Sequence, residues 1–166
     1  MESERLRAER LGPDHFEALR RLHADPEAMK TLTTDGKPQG EDFTRAVVTR
    51  NAKHWEEKGF GVWAWFLKDS GAFVGYCGLR HYLVEGEPET ELLYGLLPEF
   101  WRQGYGTEMA RACLSHAFED LGLSTVVSFT LHHNRGSRGV MEKNGMTLEK
   151  EIVHAGLPHV LYRKRA

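Results

Sequence analysis

The chain has 166 residues, enough for a single domain over residues 1–166 with a sizeable core. Its 40% hydrophobic and 28% charged residues form an ordinary water-soluble composition. With 22 Lys and Arg against 24 Asp and Glu, the net charge of −2 argues against a general nucleic-acid binder, and no run approaches the ~18 apolar residues of a membrane span.

The charged start MESERLRAER has no apolar signal-peptide core, so the expectation is a cytoplasmic protein without a membrane partner. ERLRAERL (Glu4–Leu11) reads as a first strand. In GPDHFEALRRL, Pro13 and Asp14 suit a helix start, and Phe16, Leu19 and Leu22 share a face. Asp25–Pro26 is a second start signal, and TTDGKPQGED (Thr33–Asp42) is loop. EDFTRAVVTRNAKHWEEKG reads as a helix through Phe43, Val47 and Trp55, stopped by Gly59. FGVWAWFLK and AFVGYCGLRHYL are rich in aromatic and β-branched residues and form a hairpin about KDSG. EGEPE is a second turn and TELLYGLL (Thr90–Leu97) a third strand.

Thr107–Leu121 is the clearest helix, because Met109, Ala110, Cys113, Leu114, Ala117, Phe118 and Leu121 share an apolar face. STVVSFTL (Ser124–Leu131) is a strand parallel to the one before that helix, and such a unit crosses over right-handed. Ser137 reads as the N-cap of a short helix that stops at Gly145, and MTLEKEIVH and LPHVLYRKR close the chain as strands. The order predicts helices around one mixed sheet, antiparallel first with a parallel step late. Cys77 and Cys113 fall on apolar faces and read as reduced core thiols.

RQGYGTE joins a strand to the clearest helix. Glycines at such a junction let backbone N–H groups converge, and the helix dipole adds positive potential, a combination suited to phosphate. A Walker loop is excluded by the absence of Gly-Lys-Ser or Gly-Lys-Thr. A dinucleotide fingerprint fails because Met109 stands where its third glycine belongs and STVVS where its acidic residue belongs. His132 and His133, at a strand end, point to opposite faces and cannot easily share a metal. His81 and His154 lack partners at ligand spacing, and no zinc pattern is present.

ELLYGLLPEFWRQGYGTEMARACLSHAF followed by NRGSRGVMEKNGM resembles the GNAT acetyltransferases, and Trp101 and Ser137 resemble their Rim-type branch, which acetylates N-termini of ribosomal proteins. Met146 stands where the family pattern closes with an aromatic residue. The resemblance implies an α/β (α+β) fold: a single mixed, mostly antiparallel twisted sheet flanked by helices, with central parallel strands splayed apart. It implies acetyl-CoA as co-substrate and no metal. The pyrophosphate would sit on the amides of Gln103, Gly104, Tyr105, Gly106 and Thr107, and the pantetheine arm along Leu96 and Leu97, held from the next strand by Asn134. Arg102, Arg138 and Lys143 are candidates for the adenosine phosphates. Strand-edge pairing into a homodimer is compatible with the family.

Acetyl transfer to an amine needs a neutral amine, a polarised thioester carbonyl and a stabilised thiolate. Free amines have pKa values of ~8 to ~10.4, so a base helps. Glu91 is the candidate base, on the strand leading into the loop, where many relatives carry Glu. A backbone N–H near Leu96 would meet the oxyanion. The family's helical Tyr acid is replaced by Met141, and the resemblance to the Rim-type branch, which carries Ser at this place, implies Ser137 as the candidate acid. The expected acceptor is a protein N-terminal α-amine or a small-molecule amine, with Glu85, Glu87 and Glu89 placed to attract a cation. The alternative reading is a non-catalytic acyl-CoA-binding or scaffold protein of the same fold.

Overall fold

The computed structural model describes residues 1–166. Seven strands form one sheet: β1 (Leu6–Arg10), β2 (Val62–Leu67), β3 (Phe73–Val84), β4 (Glu87–Leu96), β5 (Thr125–Leu131), β6 (Thr147–His154) and β7 (Leu157–Arg165). Their order is β1-β2-β3-β4-β5-β7-β6, and every neighbouring pair is antiparallel except β4–β5. The helices are α1 (Phe16–Ala24), α2 (Pro26–Leu32), α3 (Glu41–Lys58), α4 (Tyr105–Ser115) and α5 (Arg135–Lys143). The mixed sheet with a late parallel step is thus the predicted architecture.

Two cores cover the two faces. On one, Leu11, Leu19, Leu22 and Met29 pack with Val48, Val62 and Phe73; on the other, Trp65, Cys77 and Leu79 pack with Met109, Cys113 and Leu114 of α4. Each large apolar side chain buried this way contributes about 1.5–3 kcal/mol by leaving water. Cys77 and Cys113 are buried and unpaired. No helix is long and apolar enough to cross a membrane.

Several boundaries differ from the sequence reading. β4 begins at Glu87 rather than Thr90, because Glu85 (φ 51) and Gly86 (φ 87) alone form the turn. Pro88 fits in a strand here: Val84 and Glu87 close the two-residue turn as a hydrogen-bonded pair, so the ladder alternation turns the nitrogen of Pro88 away from β3. The helix expected over Thr107–Leu121 starts at Tyr105 and changes at His116 to π geometry, where the Leu121 N–H reaches the His116 carbonyl at 3.0 Å. His132 and His133 lie past the end of β5, in a turn.

The cap of α5 requires a correction. Asn134, not Ser137, is the N-cap: its Oδ1 accepts from the Ser137 N–H at 3.2 Å. Asn is as good a cap as Ser, and starting the helix three residues earlier places Ser137 inside its first turn.

Candidate active site

The parallel pair makes the opening. β4 and β5 share one register pair, Glu91 with Val127, and beyond it no pairing continues toward Leu96. The alternation set by the Glu85–Gly86 turn directs the backbone groups of Glu91, Leu93 and Gly95 toward β3, and those of Tyr94 and Leu96 toward the gap. β4 therefore presents a strand edge without a neighbour, able to bond an extended amide-bearing chain. Leu97 does not contribute its amide, which donates to the Val74 carbonyl at 3.0 Å. The Leu96 carbonyl accepts from Trp101 Nε1 at 2.9 Å, which ties the start of the loop to the strand.

The loop then turns through two positive φ values, Arg102 (60°) and Gly104 (84°), into α4. Gly104 suits the left-handed position because it has no Cβ. A Cβ on Gly106 would lie 3.3 Å from Val140 Cγ2 and 3.6 Å from Leu96 Cδ1, so its absence lets α4 settle against α5 and the strand. The backbone N–H groups from Arg102 to Thr107 donate to no acceptor in the protein; the first bonded amide is Glu108, to the Gly104 carbonyl. The loop is braced from behind: Arg5 Nη1 donates to the Gln103 carbonyl at 3.0 Å, while Glu108 accepts from Arg5 N, Arg5 Nε and Ser3 Oγ. Gln103 Nε2 donates to the Glu99 carbonyl at 2.7 Å. With its carbonyls drawn inward and its amides unpaired at a helix N-terminus, the loop has the donor set of an anion cradle.

A cleft of about 1180 Å³ joins this loop to the gap and continues past β3 to α2 and α3. Strand alternation sends consecutive β4 side chains to opposite faces. Leu92, Tyr94 and Leu96 pack on the α4 side and Leu93 on the α1–α3 side, the face Glu91 shares. Glu91 is 4% exposed, and its Oε2 accepts from Arg80 Nε at 2.7 Å across the β3–β4 ladder. Its other oxygen has no partner in the protein and keeps access to the cleft. Burial raises the Glu91 pKa above the usual carboxylate value, against the lowering pull of Arg80. On the opposite face the Tyr94 hydroxyl lies 2.9 Å from Ser137 Oγ and donates to the Ser137 carbonyl at 3.0 Å, so Ser137 Oγ is the donor to Tyr94. Burial pushes the Tyr94 phenol up.

The family model for the acetyltransferase (GNAT) domain matches residues 5–147. The chain belongs to the GNAT acetyltransferase family. It is 36% identical over 155 residues to the FsC-acetyl coenzyme A-N(2)-transacetylase of Aspergillus fumigatus, a match that covers 86% of this chain and 63% of that protein's length. A crystal structure of an acetyltransferase from Agrobacterium tumefaciens superimposes with a TM-score of 0.85 at 29% identity, covering 100% of this chain and 94% of the other. The fold is also that of a ribosomal L7/L12 alpha-N-protein acetyltransferase solved in complex with coenzyme A (TM-score 0.79, 20% identity, 98% and 95% coverage).

Within this GNAT chain, the cleft brings together Glu91, Leu96, Arg102, Gly104, Tyr105, Gly106, Thr107, Asn134, Ser137 and Lys143. Leu97 is buried in the core beside the cleft, and the Gln103 side chain braces the loop. The Tyr105 ring stacks under the Arg5 guanidinium at 4.3 Å. Asn134 also donates from Nδ2 to Thr130 Oγ1 at 3.0 Å, so both ends of its amide have protein partners. Arg138 is not brought to the cleft: its Nε donates to Tyr162 Oη at 3.0 Å and its Nη1 to the His132 carbonyl. The earlier start of α5 rotates it toward β7 and places Arg135 at the cleft instead. Glu85, Glu87 and Glu89 do not line the acceptor side either. Glu85 pairs with Lys150 and Glu89 with Arg163, each at 2.6 Å, and Glu87 is exposed. Met141, where the family's Tyr would stand, is fully buried in the core. Arg80 and Tyr94 were missed from sequence; the signal was their position on the two strands flanking the gap.

Proposed function

We propose that this chain is an acetyl-CoA-dependent N-acetyltransferase acting on a primary amine by direct transfer. The observation that carries the reading is the row of unpaired amides from Arg102 to Thr107 next to the unpaired strand edge at Tyr94 and Leu96. The cradle suits the diphosphate of coenzyme A, and the edge suits the two amides of its pantetheine arm. Arg102, Arg135 and Lys143 line the same end of the cleft with no carboxylate partner and suit the adenosine phosphates. The acyl end of such a donor would then lie in the gap, between the Glu91 face and the Ser137 face.

In that arrangement Glu91 takes the proton of the incoming ammonium, directly or through a water, with Arg80 holding the carboxylate in place. The amine nitrogen bonds to the acetyl carbonyl carbon as the C–S bond breaks. The Leu96 N–H faces the gap and is our oxyanion donor. Ser137 Oγ is our proton relay to the departing thiolate: its hydrogen turns from Tyr94 Oη to the sulfur, and the second proton lost by the attacking nitrogen returns to Ser137 through water. Trp101 and Ser137 support placement in the Rim-type branch.

Thiol release from acetyl-CoA, with mass spectrometry of the acceptor, tests the reading. Stoichiometric free thiol and an acceptor heavier by one acetyl group are expected. Coenzyme A binding without turnover across peptides and small amines would support the non-catalytic alternative instead.

A further inference from the structure

The acceptor half of the cleft is the part of this site whose chemistry the family leaves open. Five cationic side chains line the cleft, Arg50, Arg80, Arg102, Arg135 and Lys143, but a single carboxylate does, Glu91. This bias stands out in a chain whose net charge is −2. Arg102, Arg135 and Lys143 lie on the loop and α5, at the phosphate end. Arg80 is neutralised by Glu91 and stacks over the Tyr82 ring at 4.6 Å. Arg50 remains. It stands on α3 one turn before His54, exposed, with no carboxylate partner, and lines the cleft.

The other polar groups on this side carry no compensating negative charge. Thr31, Thr33, Thr34 and Asn51 are neutral. Both His54 ring nitrogens are occupied by backbone groups: Nδ1 donates to the Phe60 carbonyl at 2.8 Å, and Nε2 accepts the His81 N–H at 3.3 Å. His159 Nδ1 faces the Leu157 carbonyl at 2.9 Å and must also donate. Burial lowers the pKa of His81 and of His154, with neighbouring cations and imidazoles adding to it, so both favour the uncharged form. The acceptor half thus offers imidazole, hydroxyl and aromatic surface, one uncompensated guanidinium, and one carboxylate oxygen reserved for the reacting amine.

We infer that the acceptor is a primary amine whose remaining polar group is a carboxylate, with Arg50 as its counter-charge. A polycationic acceptor would bring a second ammonium to a wall with no free carboxylate and an unpaired Arg, an arrangement that costs desolvation without return. A carboxylate gains a charge-assisted contact at Arg50. This inference rests on the acetyl-transfer reading and specifies its substrate class.

The test uses the full chain and two size-matched acceptor series that differ in charge. One is β-alanine, β-alaninamide and 1,3-diaminopropane; the other is the peptides Ala-Glu-Ala-Ala, Ala-Gln-Ala-Ala and Ala-Lys-Ala-Ala with amidated C-termini. Within whichever series is acetylated, kcat/KM should fall from acidic to neutral to cationic. Arg50→Glu should cut the acidic-to-neutral preference by about tenfold or more, the scale of one charge-assisted contact, and Arg50→Gln should cut it less. Acetyl-CoA Kd by calorimetry, measured on the same samples, reports that the variants are folded. A cationic member as the best acceptor, or a preference unchanged in folded Arg50→Glu, would overturn the charge rule while the transfer reading stands. Acetyl-CoA binding without acetylation of either series would overturn the transfer reading, and the charge rule with it.

Discussion

Glu91 and Ser137 sit on opposite faces of the sheet, the separation that the proposed base and the proposed proton donor need to serve different ends of the reaction. Burial holds the Glu91 proton more tightly than a free carboxylate would, while Arg80 keeps the ionised form accessible. The base is therefore lost as pH falls through a value raised above the ordinary range. We expect Glu91→Gln to lower kcat by ~10²–10⁴, the usual contribution of a positioned base, and to remove the acid limb of the pH profile. A variant profile parallel to wild type would contradict the role. The pairing of Glu91 with Arg80 was not legible in the sequence, because the register depends on where the hairpin turns. Placing the turn over all of EGEPE hides that Glu85 and Gly86 alone suffice, and only then does Arg80 oppose Glu91.

At the scale of elements, the N-terminus of α5 separates cap from chemistry. Asn134 carries the cap and Ser137 carries a hydroxyl bonded to Tyr94. Asn134→Ala should cost about 1 kcal/mol of stability in denaturant titration. Ser137→Ala should change stability by less than about 0.5 kcal/mol, since the Tyr94 hydroxyl can still donate to the Ser137 carbonyl, yet lower kcat at unchanged acetyl-CoA Kd. Equal losses of stability in the two variants would return the cap to Ser137. Asn and Ser three residues apart are both competent caps, so sequence alone could not rank them, and the three-residue difference in start also rotated Arg138 out of the site and Arg135 into it. The loop before α4 was legible for the opposite reason. Gly104 occupies a φ of 84° that disfavours other residues, and a Cβ on Gly106 would lie only 3.3 Å from Val140 Cγ2, so both glycines mark backbone requirements that the sequence displays directly.

For the whole molecule, the packing that closes the α1–α3 face has a pH dependence. His23 is 4% exposed, 2.9 Å from Thr44 Oγ1, and burial lowers its pKa from 6.5 to about 4. The unfolded chain binds this proton near pH 6.5 and the folded chain only near pH 4, so stability present above pH 6.5 is lost as pH falls toward 4. The loss is up to about 3 kcal/mol, and His23→Gln should flatten that part of a plot of urea midpoint against pH. The sheet order, the two cores and the cleft all converge on one claim, that the backbone amides between Trp101 and Glu108 receive the diphosphate of coenzyme A. Titrating ¹⁵N-labelled protein with coenzyme A and following each backbone amide by NMR tests it directly. The amides of Gln103 to Thr107 should shift saturably and gain protection from exchange; shifts concentrated elsewhere, with these five unmoved at saturation, would contradict a diphosphate cradle at this loop.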